Sequence, residues 1–148
     1  VYASRSSHPA IESETGARRM TLEELLAVAD HVVVCVALND DTRGLIDAEA
    51  LARMQPTANL INVARGPVVD SDALCQALTT GTLRCAALDV TDPEPIPRDH
   101  PLASLPNCLI VPHVGSATER TRIAMADLAA DNLIAAIAGR PMPAPYPM

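Results

Sequence analysis

An arginine, a glutamate and a histidine each follow a short apolar run in this chain. Arg65-Gly66 comes directly after Leu60 to Val63, Asp89 follows Cys85 to Leu88 with Glu94 a little further on, and Pro112-His113 follows Leu109 to Val111. Taken singly, each has an ordinary explanation: a surface ion pair, a turn-closing aspartate, a solvated glutamate between prolines, a structural histidine. Taken together, they offer a guanidinium fork for a carboxylate and an imidazole that can give up a proton near neutral pH. A carboxylate stands ready to hold that imidazole charged. Such a set suits protonation of a carbonyl oxygen that lies beside a carboxylate, which is the demand made by reduction of a 2-oxo acid.

Positioning these groups requires rigid elements behind them. Val32 to Val36, Leu60 to Val63, Cys85 to Val90 and Leu109 to Val111 are short apolar runs that read as strands buried on both faces. Val1 to Ala3 reads as the end of a further strand. Between the runs lie helical patterns. Thr21 with Glu24 forms a capping box ahead of Leu22, Leu25 and Leu26. Asp47 caps a helix through Ala50, Leu51 and Met54 that Pro56 stops, and Asp70 or Ser71 starts one through Leu74, Ala77 and Leu78 that Gly81 closes. Ser116 with Glu119 suggests a second capping box for a long helix with Ile123, Ala126, Ala130, Leu133 and Ile137 on one face, ended by Gly139 and Pro141. Alternation of strand and helix predicts an α/β fold with a parallel, doubly wound sheet, whose ligands bind at the carboxyl ends of the strands. Asp92 to Pro106 holds five prolines, which excludes helix or central strand there and marks a long loop of the kind that is usually functional or disordered. The proline-rich tail, residues 141–148, reads as an extended strap.

Composition narrows the function classes. The chain has 148 residues, 49% of them hydrophobic and 20% charged, enough for one domain with a core. It holds no Phe or Trp, so that core is aliphatic. A formal charge of −7 argues against nucleic acid or an anionic membrane as partner, and no apolar run is long enough to span a bilayer. Cys35, Cys75, Cys85 and Cys108 show no metal-ligand spacing and read as reduced packing residues of a cytoplasmic protein, with no metal site.

The order of these residues resembles a known family. Asn62-Val63-Ala64-Arg65-Gly66-Pro67-Val68-Val69-Asp70 looks like the arginine signature of the D-2-hydroxyacid dehydrogenases, Leu88-Asp89-Val90 through Glu94-Pro95 like their glutamate signature, and Pro112 to Thr118 like their histidine signature. Leu38 to Thr42 with Gly44, Leu45 and Ile46 is similar to the segment after the third strand of their Rossmann domain. The loop Asp92 to Pro97 and the ending Gly139 to Pro143 look closest to the glyoxylate/hydroxypyruvate reductases. The resemblance implies reduction of hydroxypyruvate or glyoxylate with hydride from NAD(P)H. In it Arg65 and His113, with Ser116, bind the substrate; His113 gives the proton; ionised Glu94 keeps the imidazolium loaded. It implies cofactor contacts at Ala37, Val63, Asp89 and Gly115, with Asp89 on the nicotinamide carboxamide, and a homodimer for the parent protein.

If Val1 to Ala3 ends the second Rossmann strand, Ser4 and Arg5 stand where NAD enzymes carry an acid, so NADPH is favoured over NADH. The pyrophosphate-binding GxGxxG is not found, since the six glycines are too widely spaced. The expectation is therefore an amino-terminally truncated chain. Residues 1–140 would be a partial NAD(P)-binding Rossmann domain with the catalytic residues, its first strand and glycine turn absent and the substrate domain largely missing. Loss of the central first strand exposes sheet edges, so the isolated fragment is expected to bind cofactor weakly and turn over negligibly. Alternatives are another member such as a phosphoglycerate dehydrogenase, a non-enzymatic corepressor-like member, which the acidic balance disfavours, and an inactive truncation product.

Overall fold

A computed structural model describes residues 1–145. The chain divides into two compact units, Val1–Pro112 and His113–Met148.

In the first unit, α1 (Pro9–Thr15) and α2 (Leu22–Val28) precede β1 (His31–Val34). Then come α3 (Ala48–Arg53), β2 (Asn59–Asn62), α4 (Ser71–Thr80), β3 (Cys85–Leu88) and β4 (Cys108–Ile110). The four strands form one parallel sheet in the order β1-β2-β3-β4. The α/β class and the parallel sheet are as the alternation predicted. Three expected helix starts are also seen: Thr21 and Glu24 make the full capping box, while the carboxylates of Asp47 and Asp70 accept from the Ala50 and Ala73 amides.

Register explains where the core lies. Val32, Leu60, Ala86 and Cys108 align across the sheet, as do Val34, Asn62, Leu88 and Ile110. Both rows face the cluster built with Leu26 of α2, Leu51 of α3 and Leu74 of α4. The intervening row runs through Val33, Ile61, Ala87 and Leu109, and its outer members are open: Val33 is 56% exposed and Leu109 63%. Burial on both faces, expected for every run, thus fails at β1 and β4. Each alternates, because the helices of this unit pack on one face of the sheet.

Three further differences have local causes. Val1 to Ala3 makes only an isolated bridge, Tyr2 to Arg19, among the described residues. The proline-rich loop contains a 3-10 turn at Pro101–Ser104, tolerated because Pro101 stands at its first position, where no amide donor is needed. Helix α1 was not expected, although Pro9 inside its start and left-handed Gly16 just past its end mark it.

The second unit holds a turn closed by the Ala117 amide on the Val114 carbonyl, then α5 (Glu119–Ile137). The expected Ser116–Glu119 box is not formed: Thr118 is the cap, accepting from the Thr121 amide. Ser116 is taken up inside the preceding turn, so the next hydroxyl along the chain caps the helix. The expected apolar face of α5 is open, with Ile123 53%, Leu133 61% and Ile137 80% exposed. Of the tail, residues 141–145 are described, and Asn132 holds them by exchanging two hydrogen bonds with the Ala144 backbone at 2.9 and 3.0 Å. Residues 146–148 of the expected strap lie outside the described residues. No described helix is long and apolar enough to cross a membrane.

All four cysteines are free, as expected, and Cys75, Cys85 and Cys108 are partly buried, but Cys35, just after β1, is exposed and is not a packing residue. Burial pushes the Cys108 thiol up to about 11, with the neighbouring Cys75 and Cys85 sulfurs adding to the effect. At pH 8 such a thiol is ionised in only about one molecule in a thousand, and the thiolate is the nucleophile. Alkylation of the native protein with iodoacetamide at pH 8 is therefore expected to label exposed Cys35 long before Cys108, as peptide mass mapping would show. Equal rates at the two positions would contradict this burial.

Candidate active site

Arg65 stands three residues beyond the end of β2. Strand β2 ends on Asn62, which is 1% exposed and lies on the core side of the sheet. Its side chain turns forward along the chain: Nδ2 donates to the Arg65 carbonyl and Oδ1 accepts from the Ala64 amide, both at 3.0 Å. This turn, of the kind asparagine favours, leaves Arg65 in extended backbone with its side chain at the surface. The guanidinium donates from Nη1 to the Ala64 carbonyl at 2.7 Å. That contact leaves most of the five guanidinium donors for a ligand.

Asp89 and Glu94 follow β3. The Asp89 amide donates to the Asn62 carbonyl at 3.0 Å, which extends the β2–β3 ladder by one rung and leaves Asp89 half-buried at the strand end. Beyond it Val90 is buried, and the chain enters the proline loop. There Thr91 Oγ1 donates to the Pro93 carbonyl at 2.8 Å and Ser71 Oγ, at the start of α4, donates to the Asp92 carbonyl at 3.2 Å. Glu94 is exposed, and Ile96 just after it packs back against the core. The loop is thus anchored on both sides of its acid.

His113 opens the second unit, the third residue after the end of β4. The Val111 amide donates to the Leu88 carbonyl at 2.9 Å, so the ladder holds the chain nearly to that point. His113 is exposed and has φ +52°, the left-handed region, alone among the described non-glycine residues. Gly115 is exposed and Ser116 half-buried in the turn that follows.

At the other end of the first unit, Ser4 and Arg5 form an exposed loop with an unexpected support. Arg19 donates from Nε to the Ser4 carbonyl at 2.9 Å and from Nη2 to the Arg5 carbonyl at 2.8 Å. The bridge between Tyr2 and Arg19 brings the two segments together, aided by the Tyr2 amide on the Arg18 carbonyl at 3.0 Å. Sequence reasoning passed over Arg19, because a contact across fifteen residues, with α1 between, leaves no local pattern. The donor chemistry here fits a phosphate: an exposed guanidinium and hydroxyls on a loop whose two pinned carbonyls point into Arg19. Ala37, after β1, and Val63, 47% exposed after β2, both lie beyond the carboxyl ends of their strands. No group of described residues forms a metal-binding cluster. An open cleft of about 450 Å³ is lined by Arg43, Pro67, Asp70, Asp92 and His100 among others; none of the expected site residues lines it.

Comparison with known proteins gives a consistent result. Residues 1–115 match the family model of the D-isomer specific 2-hydroxyacid dehydrogenase NAD binding domain. The human glyoxylate reductase/hydroxypyruvate reductase is 46% identical over 143 residues, which is 97% of this chain and 44% of that protein. A crystal structure of a Thermus thermophilus protein superposes with a TM-score of 0.91 at 44% identity, covering 99% of this chain and 45% of that one. The NADPH-dependent glyoxylate/hydroxypyruvate reductase of Sinorhizobium meliloti, solved with NADP and malonate, gives 0.83 at 38% identity over 90% of this chain and 41% of its own. The chain therefore spans under half the length of the relatives it matches.

Proposed function

The chain belongs to the D-isomer specific 2-hydroxyacid dehydrogenase family, and from that premise we propose that the protein reduces small 2-oxo acids, hydroxypyruvate to D-glycerate and glyoxylate to glycolate, preferring NADPH. One observation carries the reading. Strands β2, β3 and β4 are neighbours and parallel, so the segments bearing Arg65, Asp89 with Glu94, and His113 all leave carboxyl ends of one sheet.

In this reading Arg65 grips the substrate carboxylate, a charge-assisted contact of about 1.5–3 kcal/mol, and fixes which end of the molecule faces inward. His113 gives its Nε2 or Nδ1 proton to the carbonyl oxygen as negative charge develops there. Glu94 supports the proton donor, and Ser116 completes the substrate contacts. The nicotinamide, when bound, supplies the hydride. Asp89 would hold its carboxamide, Ala37, Val63 and Gly115 would contribute further contacts, and Ser4 and Arg5 would take the 2′-phosphate. The relationship to an NADPH-dependent reductase supports that last assignment, as does the lack of an acid in the Ser4–Ser7 loop.

The test is loss of reduced-cofactor absorbance by the intact protein with hydroxypyruvate or glyoxylate. Turnover is expected with both, faster with NADPH than NADH. Cofactor binding without turnover would move the protein to the non-catalytic members. Arg5→Ala is expected to raise KM for NADPH by about 10–100-fold, the worth of one charged phosphate contact, and to leave KM for NADH nearly unchanged. Arg19→Ala should act in the same direction more weakly, through the loop it holds. If Arg5→Ala weakens both cofactors equally, the 2′-phosphate assignment is wrong.

A further inference from the structure

Asn62 joins three pieces of the proposed site. Its side chain closes the turn under Arg65 from a position 1% exposed, and its own carbonyl receives the Asp89 amide at 3.0 Å. No buried side-chain polar atom of the described residues lacks a partner, and both polar atoms of this amide are engaged within the turn. The third connection runs through Gly66. A methyl group there would fall 1.9 Å from the Thr91 carbonyl oxygen and 2.7 Å from the Asp92 nitrogen, so the Arg65 turn sits directly on the peptide that enters the Glu94 loop. Ser71, downstream of the same turn, then holds the Asp92 carbonyl.

We propose that Asn62 is a positioning residue: its side chain sets the turn carrying Arg65, and the seat of Gly66 on Thr91–Asp92 makes that turn and the entrance to the Glu94 loop one rigid piece. Substrate grip and support of the proton donor are then aligned together by a residue that touches neither substrate nor cofactor. The roles of Arg65 and Glu94 used here rest on the function proposed above; the mechanical claim does not.

Chemistry selects asparagine for this task. The turn needs one acceptor for the Ala64 amide and one donor for the Arg65 carbonyl, and a side-chain amide offers the two on separate atoms at one position. Serine can accept but is too short to reach both partners, and aspartate would set a buried charge against a carbonyl.

The experiment compares Asn62→Ala, Asn62→Ser and Arg65→Ala in the intact protein, alone and combined. Displacing a gripping group by about 1 Å can cost roughly 10²-fold, so Asn62→Ala is expected to raise KM for the 2-oxo acid by about 10–100-fold. The preference for NADPH over NADH should stay within about twofold of wild type, because the 2′-phosphate loop lies elsewhere. Asn62→Ser should recover part of the loss by accepting from the Ala64 amide. In an Arg65→Ala background the Asn62→Ala loss should largely vanish, since there is no guanidinium left to misplace. Losses that multiply in the double variant, or an unchanged KM in a folded Asn62→Ala protein, would overturn the proposal. Hydrogen exchange supplies an arm independent of turnover. Peptides spanning 62–66 and 89–94 should exchange several-fold faster in Asn62→Ala, while the peptide spanning 31–34 stays as in wild type. Faster exchange confined to 62–66 would break the link to the Glu94 loop. A wild type with no 2-oxo acid reductase activity would refute the proposed function, and the exchange arm would still decide the mechanical claim.

Discussion

His113→Ala is expected to lower kcat for hydroxypyruvate reduction by about 10²–10⁴, the usual worth of a positioned general acid, with NADPH affinity nearly unchanged. A proton donor matters most as charge builds on the carbonyl oxygen, so kcat and kcat/KM should fall together. The backbone provides the control. At φ +52° the side chain of His113 stands in a region that costs most residues about 1–2 kcal/mol through contact of Cβ with the carbonyl. Alanine meets the same conflict, so its thermal midpoint should move little and the lost activity cannot be charged to unfolding. Asparagine adopts the left-handed region readily and donates no acidic proton. His113→Asn should therefore fold at least as well as the alanine variant and be as inactive. If the asparagine variant kept more than about a tenth of wild-type kcat, against the loss expected of an acid catalyst, His113 would not be the proton donor.

The strained φ has meaning of its own. Residues held in sparse backbone regions persist where the surrounding chain over-determines them, and they gather at reacting sites. Here the β3–β4 ladder fixes the chain up to Val111, and the turn ending on Ala117 fixes it from Val114 onward. His113 lies in the short link between these two hydrogen-bonded segments of the chain.

Much of this was legible from the sequence, and the parts that were not share a cause. β-branched and apolar runs gave all four strands to within a few residues, although the edge strands β1 and β4 are open on one face. Asp47, Asp70 and the Thr21–Glu24 pair marked helix starts correctly because a cap is a contact within one turn of chain. Ser116 misled for the same local reason: a hydroxyl at Thr118 competes for the helix end, and the turn at Val114–Ala117 decides between them. The residue types at the strand ends were visible, and so was their order. What holds them was not. Asn62 appeared only as a letter of a motif, although its side chain organises the arginine turn. Arg19 bonds to carbonyls fourteen and fifteen residues away, and Gly66 owes its identity to Thr91, twenty-five positions further on. Such supports depend on which segments the fold brings together, and periodicity carries no record of that.

Gly66 is where that long-range fit should show most sharply in stability. Its backbone is not left-handed, so its requirement is space, in contrast with Gly81 at φ +74°. In Gly66→Ala the new methyl would overlap a peptide group, whose atoms at 1.9 and 2.2 Å cannot rotate aside as a flexible side chain would. Overpacking a closed interior typically costs about 1–3 kcal/mol and sometimes more; a clash with a backbone peptide group belongs at or above the top of that range. For a chain of this size each kcal/mol lowers the thermal midpoint by about 2–4 °C, so a fall of roughly 6–12 °C is expected for Gly66→Ala. Gly81→Ala has open space and only the backbone cost of about 1–2 kcal/mol, which gives a smaller fall. Relief of the clash requires the arginine turn and the entrance of the Glu94 loop to move apart, so any folded Gly66→Ala protein should also bind the 2-oxo acid poorly. A midpoint loss no larger than that of Gly81→Ala would mean that the two segments part easily. In that case Arg65 and the Glu94 loop would not form the single rigid piece inferred above.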